Sequence, residues 1–409
     1  MSRRRAVITG IGVISPNAIG KDKFWQALKE GRSGIKPITV FDPAFLKTKL
    51  GGEVSDFKPE EFLGDKGLRN LNRSALLVCS ASKLALEDSG LLITEENTDQ
   101  TGVVTATTLS AVFNIAALGK EMLQDGPGLV NPAMFPGTTI NSPSSQISIR
   151  HNIKGFNTTI STGYSASLDA LKYAVDFINL GRAKAVLVAA TEGLTFENYI
   201  GFYKIGFLAG LNGEEVSCPF DKRRNGIILA ESAAVLVVEE EEYARSRNAN
   251  IYAEILATES LFDAYRAGKY HPRLEGLRQC MTRAMKAADL HKEDISYISA
   301  SANSVVQQDK LETEAIKDVL GVYSESVPVS AIKSMVGESV SATGLLQVAA
   351  ACGSIKQGFI PPTINYSQKD PACDLDYVPN ESRQQRIENV LVNNFGPGGN
   401  NAVAIISRY

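Results

Sequence analysis

The sequence predicts an α/β protein with helix-covered sheets, built from two similar portions that meet near residue 250. Three observations lead there. Apolar runs of strand length alternate with segments of helical periodicity along the chain. A charge-rich stretch, Glu239–Asn250, separates two portions with the same strand–helix rhythm. The 409 residues are enough for two core-forming units, at about 100–200 residues each.

The elements follow in order. Ala6–Ile14 reads as a strand, and Phe24–Leu28 belongs to an amphipathic helix. Gly10 and Gly12 resemble the start of a dinucleotide fingerprint, but Ser15 stands where its third glycine is needed. The pair is therefore read as a tight turn leaving the strand. Further strand-like runs are Gly102–Thr105, Ala185–Ala190 and Ala233–Glu239. Across residues 165–180, Leu168, Leu171, Val175 and Ile178 recur at helical spacing, and Gly181 stands where a C-terminal cap belongs. The second portion opens with a strand over 251–260 and continues through a helix over Leu277–Ala287. After the run 297–303 come a helix over Leu311–Val319, a strand over 327–331, a long helix from Thr343 and a closing strand over 401–407. The division expected is residues 1–250 and 251–409.

Composition excludes several classes. Hydrophobic residues make up 44% and charged residues 21%, the balance of an ordinary globular protein. A net charge of −3 argues against nucleic-acid binding, and the run Arg3-Arg4-Arg5 reads as a solvated N-terminus. The opening looks like a signal peptide until Gly10, Gly12 and Pro16 break its apolar stretch. No run approaches the roughly 20 apolar residues of a membrane span, so the chain reads as cytoplasmic. Five dispersed cysteines without a CxxC pair disfavour a disulfide framework and a zinc site. No metal and no cofactor are expected. The only histidines are His151, His271 and His291.

Several long segments together resemble the β-ketoacyl synthases, which condense acyl chains in fatty-acid and type II polyketide assembly. They are Val7–Gly20, Phe24–Ile35, Pro219–Ser232, Ala331–Gly344, Ile360–Asn365 and Val392–Ala402. The resemblance runs from end to end. It implies the thiolase fold, two duplicated α/β halves forming a five-layered α-β-α-β-α core, working as a dimer. It also implies a chemistry: a cysteine at a helix N-terminus takes the acyl chain. Two histidines then promote decarboxylation and stabilise the enolate, a lysine holds their network, and backbone amides form the oxyanion hole. Some of those amides belong to the C-terminal Gly-rich loop.

Matched onto that pattern, the reactive positions are degenerate. In the nucleophile segment Thr162–Ser167, Tyr164 stands at the cysteine. In the segment from Ala300 to Asp309, Ser301 replaces the first histidine, and in Lys333–Glu338, Glu338 replaces the second while Lys333 is retained. A tyrosine hydroxyl titrates near 10 against about 8.5 for cysteine, and no matched histidine remains to take its proton. Glu338, anionic unless strongly desolvated, is expected to repel a malonyl carboxylate or a forming enolate, and an ion pair with Lys333, five residues away, would serve structure alone. The gate loop of the family corresponds to Phe395, Gly396, Pro397, Gly398 and Gly399, with Pro397 at the mobile phenylalanine and a stiffer loop expected. Three readings of Tyr164 stand open: a packing residue filling vacated space, a hydrogen-bond donor to an acyl chain or a partner loop, or a new nucleophile.

Within the family, the chain length factors of type II polyketide synthases keep the fold and lose the cysteine. Many carry glutamine there, so Tyr164 points to a less typical, non-actinobacterial aromatic or polyene pathway. The resemblance implies a heterodimer with a catalytic ketosynthase, an acyl-carrier protein bound mainly through that partner, and a growing polyketide chain in a tunnel at the interface. Candidate tunnel residues are Val112, Phe113, Ala116, Ala117 and Leu118 on one helix, with Met134 and Phe135 in the segment that crosses the dimer interface. The competing readings are a ketosynthase-like decarboxylase or acyltransferase using Tyr164 and Glu338, and a purely structural scaffold for the ketosynthase.

Overall fold

The computed structural model describes residues 4–409. Among the described residues the main sheet has eleven strands; a short one, Ala18–Ile19, pairs only with the end of β1, and the other ten are β1 (Ala6–Ser15), β2 (Thr101–Ala106), β3 (Asn157–Ile160), β4 (Ala185–Glu192), β5 (Ser232–Glu240), β6 (Ala253–Phe262), β7 (Tyr297–Ser299), β8 (Val329–Ser330), β9 (Asn389–Phe395) and β10 (Asn400–Ser407). They lie in the order β8-β7-β9-β10-β6-β1-β5-β4-β2-β3. From the centre outward, one half runs β1-β5-β4-β2-β3 and the other β6-β10-β9-β7-β8, the same order with five added to each label. Directions repeat too: the outer strands of each half are parallel, the inner ones antiparallel. Within the main sheet, Ala6–Ile8 paired with Ala253–Ile255 joins the halves.

The two half-sheets sandwich an inner helix pair, Ala166–Asn179 and Thr343–Gln357. Strand periodicity decides which side chains meet it. Val186, Val188 and Ala190 of β4 face inward with Leu168, Leu171, Leu345 and Leu346. The alternate residues Ala185, Leu187 and Ala189 face outward onto Leu77, Val78 and Ala81 of the helix Arg73–Ser89. In the second half, Leu391, Val403 and Ile405 pack on Leu277, Met281, Ala315 and Ile316 of the helices Glu275–Ala287 and Val306–Leu320. The result is five layers, α-β-α-β-α. In Thr343–Gln357 only Lys356 and Gln357 escape burial. A helix apolar on all sides belongs in such a middle layer, where each fully buried leucine or valine contributes about 1.5–3 kcal/mol.

Several expectations change. Gly10 and Gly12 are not a turn but lie inside β1. A Cβ at Gly12 would sit 1.9 Å from the Ala81 carbonyl oxygen, and one at Gly10 2.3 Å from that of Ala85. They are bare because the helix Arg73–Ser89 presses on the strand. Arg4 and Arg5 are not merely solvated: Arg4 pairs with Glu240 at 2.8 Å, and Arg5 with Glu241 and Glu254. Arg3 lies outside the described residues. The five cysteines are free and buried. Among the described residues no helix is long and apolar enough to cross a membrane.

Candidate functional site

The ends of β7, β8 and β9 converge beneath the N-terminus of the inner helix Ala166–Asn179. Tyr164 sits in the single 3-10 turn Gly163–Ser165 that feeds this helix. Ser301 follows β7, and Lys333 follows β8 in a short helical turn, Lys333–Val336. Gly337, at φ +75°, turns the chain so that Glu338 points back at Lys333. The fold thus brings together all four degenerate or retained positions.

Lys333 and Glu338 are each 1% exposed, and the Lys333 Nζ lies 2.7 Å from Glu338 Oε2. Glu338 accepts further bonds from Asn303 Nδ2 at 3.0 Å and from the Thr343 hydroxyl at 2.8 Å. Lys333 also donates to the Ser301 carbonyl at 2.8 Å. Ser301 is equally committed: its hydroxyl accepts from the Phe395 amide at 3.2 Å, and its own amide donates to Glu312 Oε1 at 2.9 Å. A buried pair satisfied on this many sides is a structural element. Its lysine is neutralised and its carboxylate occupied, so neither group is free to steer a malonyl carboxylate.

Two further carboxylates stand behind the pair. Burial raises Glu312 to about 7 and Asp309 to about 6, the latter opposed by nearby Arg224. Asp309 caps the turn below, accepting from the amides of Phe220 at 2.8 Å and Asn303 at 3.0 Å.

Tyr164 is packed on several sides. Its ring joins the apolar cluster of Leu194, Tyr199, Leu208, Leu229 and Val340, with Leu109, Ile200 and Phe202 alongside. It also lies close against Gly396, where a Cβ would meet Tyr164 Cδ2 at 2.3 Å. The hydroxyl is buried without a hydrogen-bond partner. Burial, and after it the charge of Glu338, pushes its pKa well above the usual tyrosine value.

The Gly-rich loop carries a loss that the side-chain comparison misses. Pro397 has no N–H, and the amides of Gly398 and Gly399 both donate to the Gly396 carbonyl, at 2.8 and 3.3 Å. From 397 to 399 no loop amide is left for an oxyanion. Phe395 does not belong to this loop: it ends β9, fully buried, with its ring edge-on to Tyr270 at 6.2 Å. Below the loop lies an open depression of about 350 Å³ lined by Ser161, Thr162, Gly163, Tyr164, Pro397 and Asn400.

Two residues of the site gave no sequence signal. Tyr270 comes from the loop after β6 and donates to Gln308 Oε1 at 2.6 Å. Gln308 in turn donates to the Ser301 carbonyl at 3.0 Å. Tyr270 lies outside every matched segment, and Gln308, though inside the run Ala300–Asp309, stands at a position to which the family motif gives no role, so only the fold brings them in.

The tunnel candidates lie elsewhere. Val112, Phe113, Ala116, Ala117 and Leu118 belong to the helix Val112–Asp125, and Met134 and Phe135 to the 3-10 segment Pro132–Thr138. Across residues 112–141 only Asn114 and Gly137 are buried. Phe113 is 42%, Phe135 62% and Leu123 89% exposed. Within this chain Phe113 and Phe135 are exposed, while Val112, Ala116, Ala117, Leu118 and Met134 are half-buried.

The fold and the arrangement of these sites define a condensing-enzyme scaffold whose reaction centre is filled. Residues 3–244 match the N-terminal domain of beta-ketoacyl synthase, and residues 252–367 its C-terminal domain. The chain belongs to the beta-ketoacyl synthase family. It is 38% identical to 3-oxoacyl-[acyl-carrier-protein] synthase 2 of Coxiella burnetii, over all of this chain and 99% of that one. It is 34% identical to the tetracenomycin polyketide synthase ketoacyl synthase alpha subunit of Streptomyces glaucescens, over 100% and 98% of the two chains. Among solved structures it is similar to the ishigamide ketosynthase/chain length factor, with a TM-score of 0.93, 32% identity and full coverage of both chains. A type II polyketide synthase acyl-carrier protein in complex with its ketosynthase bound to the hexaketide matches at a TM-score of 0.90, with 29% identity and full coverage of both chains.

Proposed function

We propose that this chain is a non-catalytic chain length factor. It pairs with an active ketosynthase in a type II polyketide synthase and sets product length through a tunnel at their interface. One observation carries the reading: at the reaction centre Lys333 is held by Glu338, Ser301 by Phe395 and Glu312, and Tyr164 by packing. Nothing among these groups combines a nucleophile with a base.

Pairing is supported by the surface. Residues 112–141 present a helix and turn with exposed apolar side chains, among them Phe113, Ile115, Met122, Leu123, Leu129 and Phe135. A patch of this kind marks an interaction site. β3 pairs only with β2, which leaves a sheet edge beside it for another chain. The partner supplies the cysteine, the histidines and the main docking surface for the acyl-carrier protein. The chain length factor supplies bulk along the tunnel, with Phe113, Leu118 and Phe135 as the residues to vary.

The test is co-expression with a ketosynthase that retains its cysteine, followed by product sizing. Phe113→Ala is expected to lengthen the polyketide; unchanged lengths across substitutions at Phe113, Leu118 and Phe135 refute tunnel control. A second reading, a decarboxylase or acyltransferase, draws on the unpartnered Tyr164 hydroxyl. Turnover of labelled malonyl-carrier protein by the isolated chain, abolished by Tyr164→Phe, would favour it.

A further inference from the structure

We infer that Glu192 is a positioning residue for the helix Val112–Asp125: from the end of β4 it fixes the turn where that helix starts, and through the helix the place of the tunnel wall. The step from helix to tunnel wall rests on the pairing reading above; the anchoring of the helix does not.

The helix is poorly held along its length. Of its 14 residues only Asn114 is buried, so its place is set at the turn that leads into it, residues 107–111. Two side chains grip that end. Asn72 Nδ2 donates to the Ser110 carbonyl and to Asn114 Oδ1, each at 2.8 Å. Glu192, 2% exposed, takes the other side. Its Oε1 accepts from the Thr108 amide at 2.6 Å. Its Oε2 accepts from the Leu109 amide at 3.1 Å and the Thr107 hydroxyl at 3.3 Å. Three consecutive residues thus aim donors at one carboxylate.

No cation shares this work. Among the described residues Glu192 has no ion pair, and the burial that raises its pKa to about 7 is opposed by the neutral donors of Thr107, Thr108, Leu109 and Ser341. The charges on neighbouring elements are engaged elsewhere. Glu231, just before β5, is held by Arg73 at 2.6 Å, and Glu338 by Lys333 at 2.7 Å. On the helix itself the first charge is Lys120. A buried carboxylate balanced by amides and hydroxyls alone is costly unless those donors stay in place. Its burial is therefore tied to the position of the turn.

The same turn reaches the filled reaction centre. The Thr108 and Ser341 hydroxyls share a hydrogen bond of 2.6 Å. Ser341 lies in the 3-10 turn Val340–Ala342, between Glu338 and the Thr343 hydroxyl that donates to it at 2.8 Å. The buried ion pair thus steadies the turn against which the helix is set.

Hydrogen exchange on the co-purified pair of this chain and its ketosynthase, or on this chain alone if no pair forms, reads the opening of residues 107–116. Glu192→Leu leaves the Thr108 and Leu109 amides without an acceptor and is expected to speed their opening about tenfold or more. The inner helix Thr343–Gln357 should keep its protection. Should the leucine variant fail to fold, Glu192→Gln, which keeps the bulk and one acceptor oxygen, carries the test through pH. Opening frees the carboxyl to ionise near 4.3. With intrinsic exchange rates divided out, wild-type opening should rise by up to about tenfold per pH unit from about pH 5 to about pH 7 and then level off. Glu192→Gln should show no such rise, whereas a merely space-filling residue would leave the two profiles alike. Matching profiles, or wild-type protection of Thr108 and Leu109 in Glu192→Leu, overturn the inference. Product sizing reads the tunnel separately. Lengths moved by Phe113→Ala but not by either Glu192 variant also overturn it; lengths moved by neither series, with exchange altered as expected, refute tunnel control and uphold the anchoring.

Discussion

Breaking the buried ion pair gives the sharpest test of the filled reaction centre. Lys333→Met leaves Glu338 buried with two neutral donors, Asn303 and Thr343. Glu338→Gln leaves the Lys333 ammonium with one carbonyl, that of Ser301. Removing one partner of a buried pair costs about 3–5 kcal/mol, because the other charge stays in the interior uncompensated. The double variant removes both charges while keeping most of the volume and the hydrogen bonds to Glu338 that an amide can replace. It should lose about 2 kcal/mol or less, well below the sum of the single losses. The assay is the denaturant midpoint of the purified assembly for the four proteins of this cycle. Additive losses in the double variant, or a wild-type midpoint for Lys333→Met, would show that the pair is not the structural element described here.

Other outcomes follow from the same geometry. Glu312 has its folded pKa raised to about 7, so the folded protein holds a proton that the unfolded chain has already released. Its contribution is present below pH 4 and is lost as pH rises toward 7, by up to about 1.4 kcal/mol per unit. Glu312→Gln should therefore flatten the decline in denaturant midpoint between pH 5 and pH 8. Gly396→Ala drives a methyl into the Tyr164 ring and should cost about 1–3 kcal/mol. Tyr164→Ala in the same chain should recover part of that loss, measured as a non-additive pair of melting shifts. Tyr164→Phe removes a buried hydroxyl that has no partner, so stability should hold or rise by about 1 kcal/mol. A clear loss would mean that the hydroxyl is bonded in the assembly.

Much of the fold was legible because it follows from periodicity. The helix read over 165–180 spans Ala166–Asn179, and the strand read over Ala185–Ala190 spans Ala185–Glu192. Strand β3, with the sequence NTTI, is polar and short, and an edge position demands no apolar pattern. The outer helix Arg73–Ser89 went unread for a different reason. Its apolar residues sit among serines that blur the periodicity, and it meets the bare stretch of β1 through Ala81, Ala85 and Ser89. At the site, Tyr164, Ser301, Lys333 and Glu338 were found because they sit inside long motifs. Tyr270 lies outside those motifs, and Gln308 and Thr343 lie inside them at positions without a family role; each contributes a hydrogen bond that only the folded geometry reveals. The commitment of the loop amides was invisible for the same reason: a side-chain comparison does not record where an N–H points.

That loop has an evolutionary consequence. Reinstating cysteine and two histidines would rebuild the side chains of a condensing enzyme while the main chain between 397 and 399 still offered no donor. Each reversion made singly gains nothing that selection can see, and the first would have to displace a packed aromatic ring. On the proposed reading, loss of condensing chemistry works as a ratchet, with one tooth cut in the backbone itself.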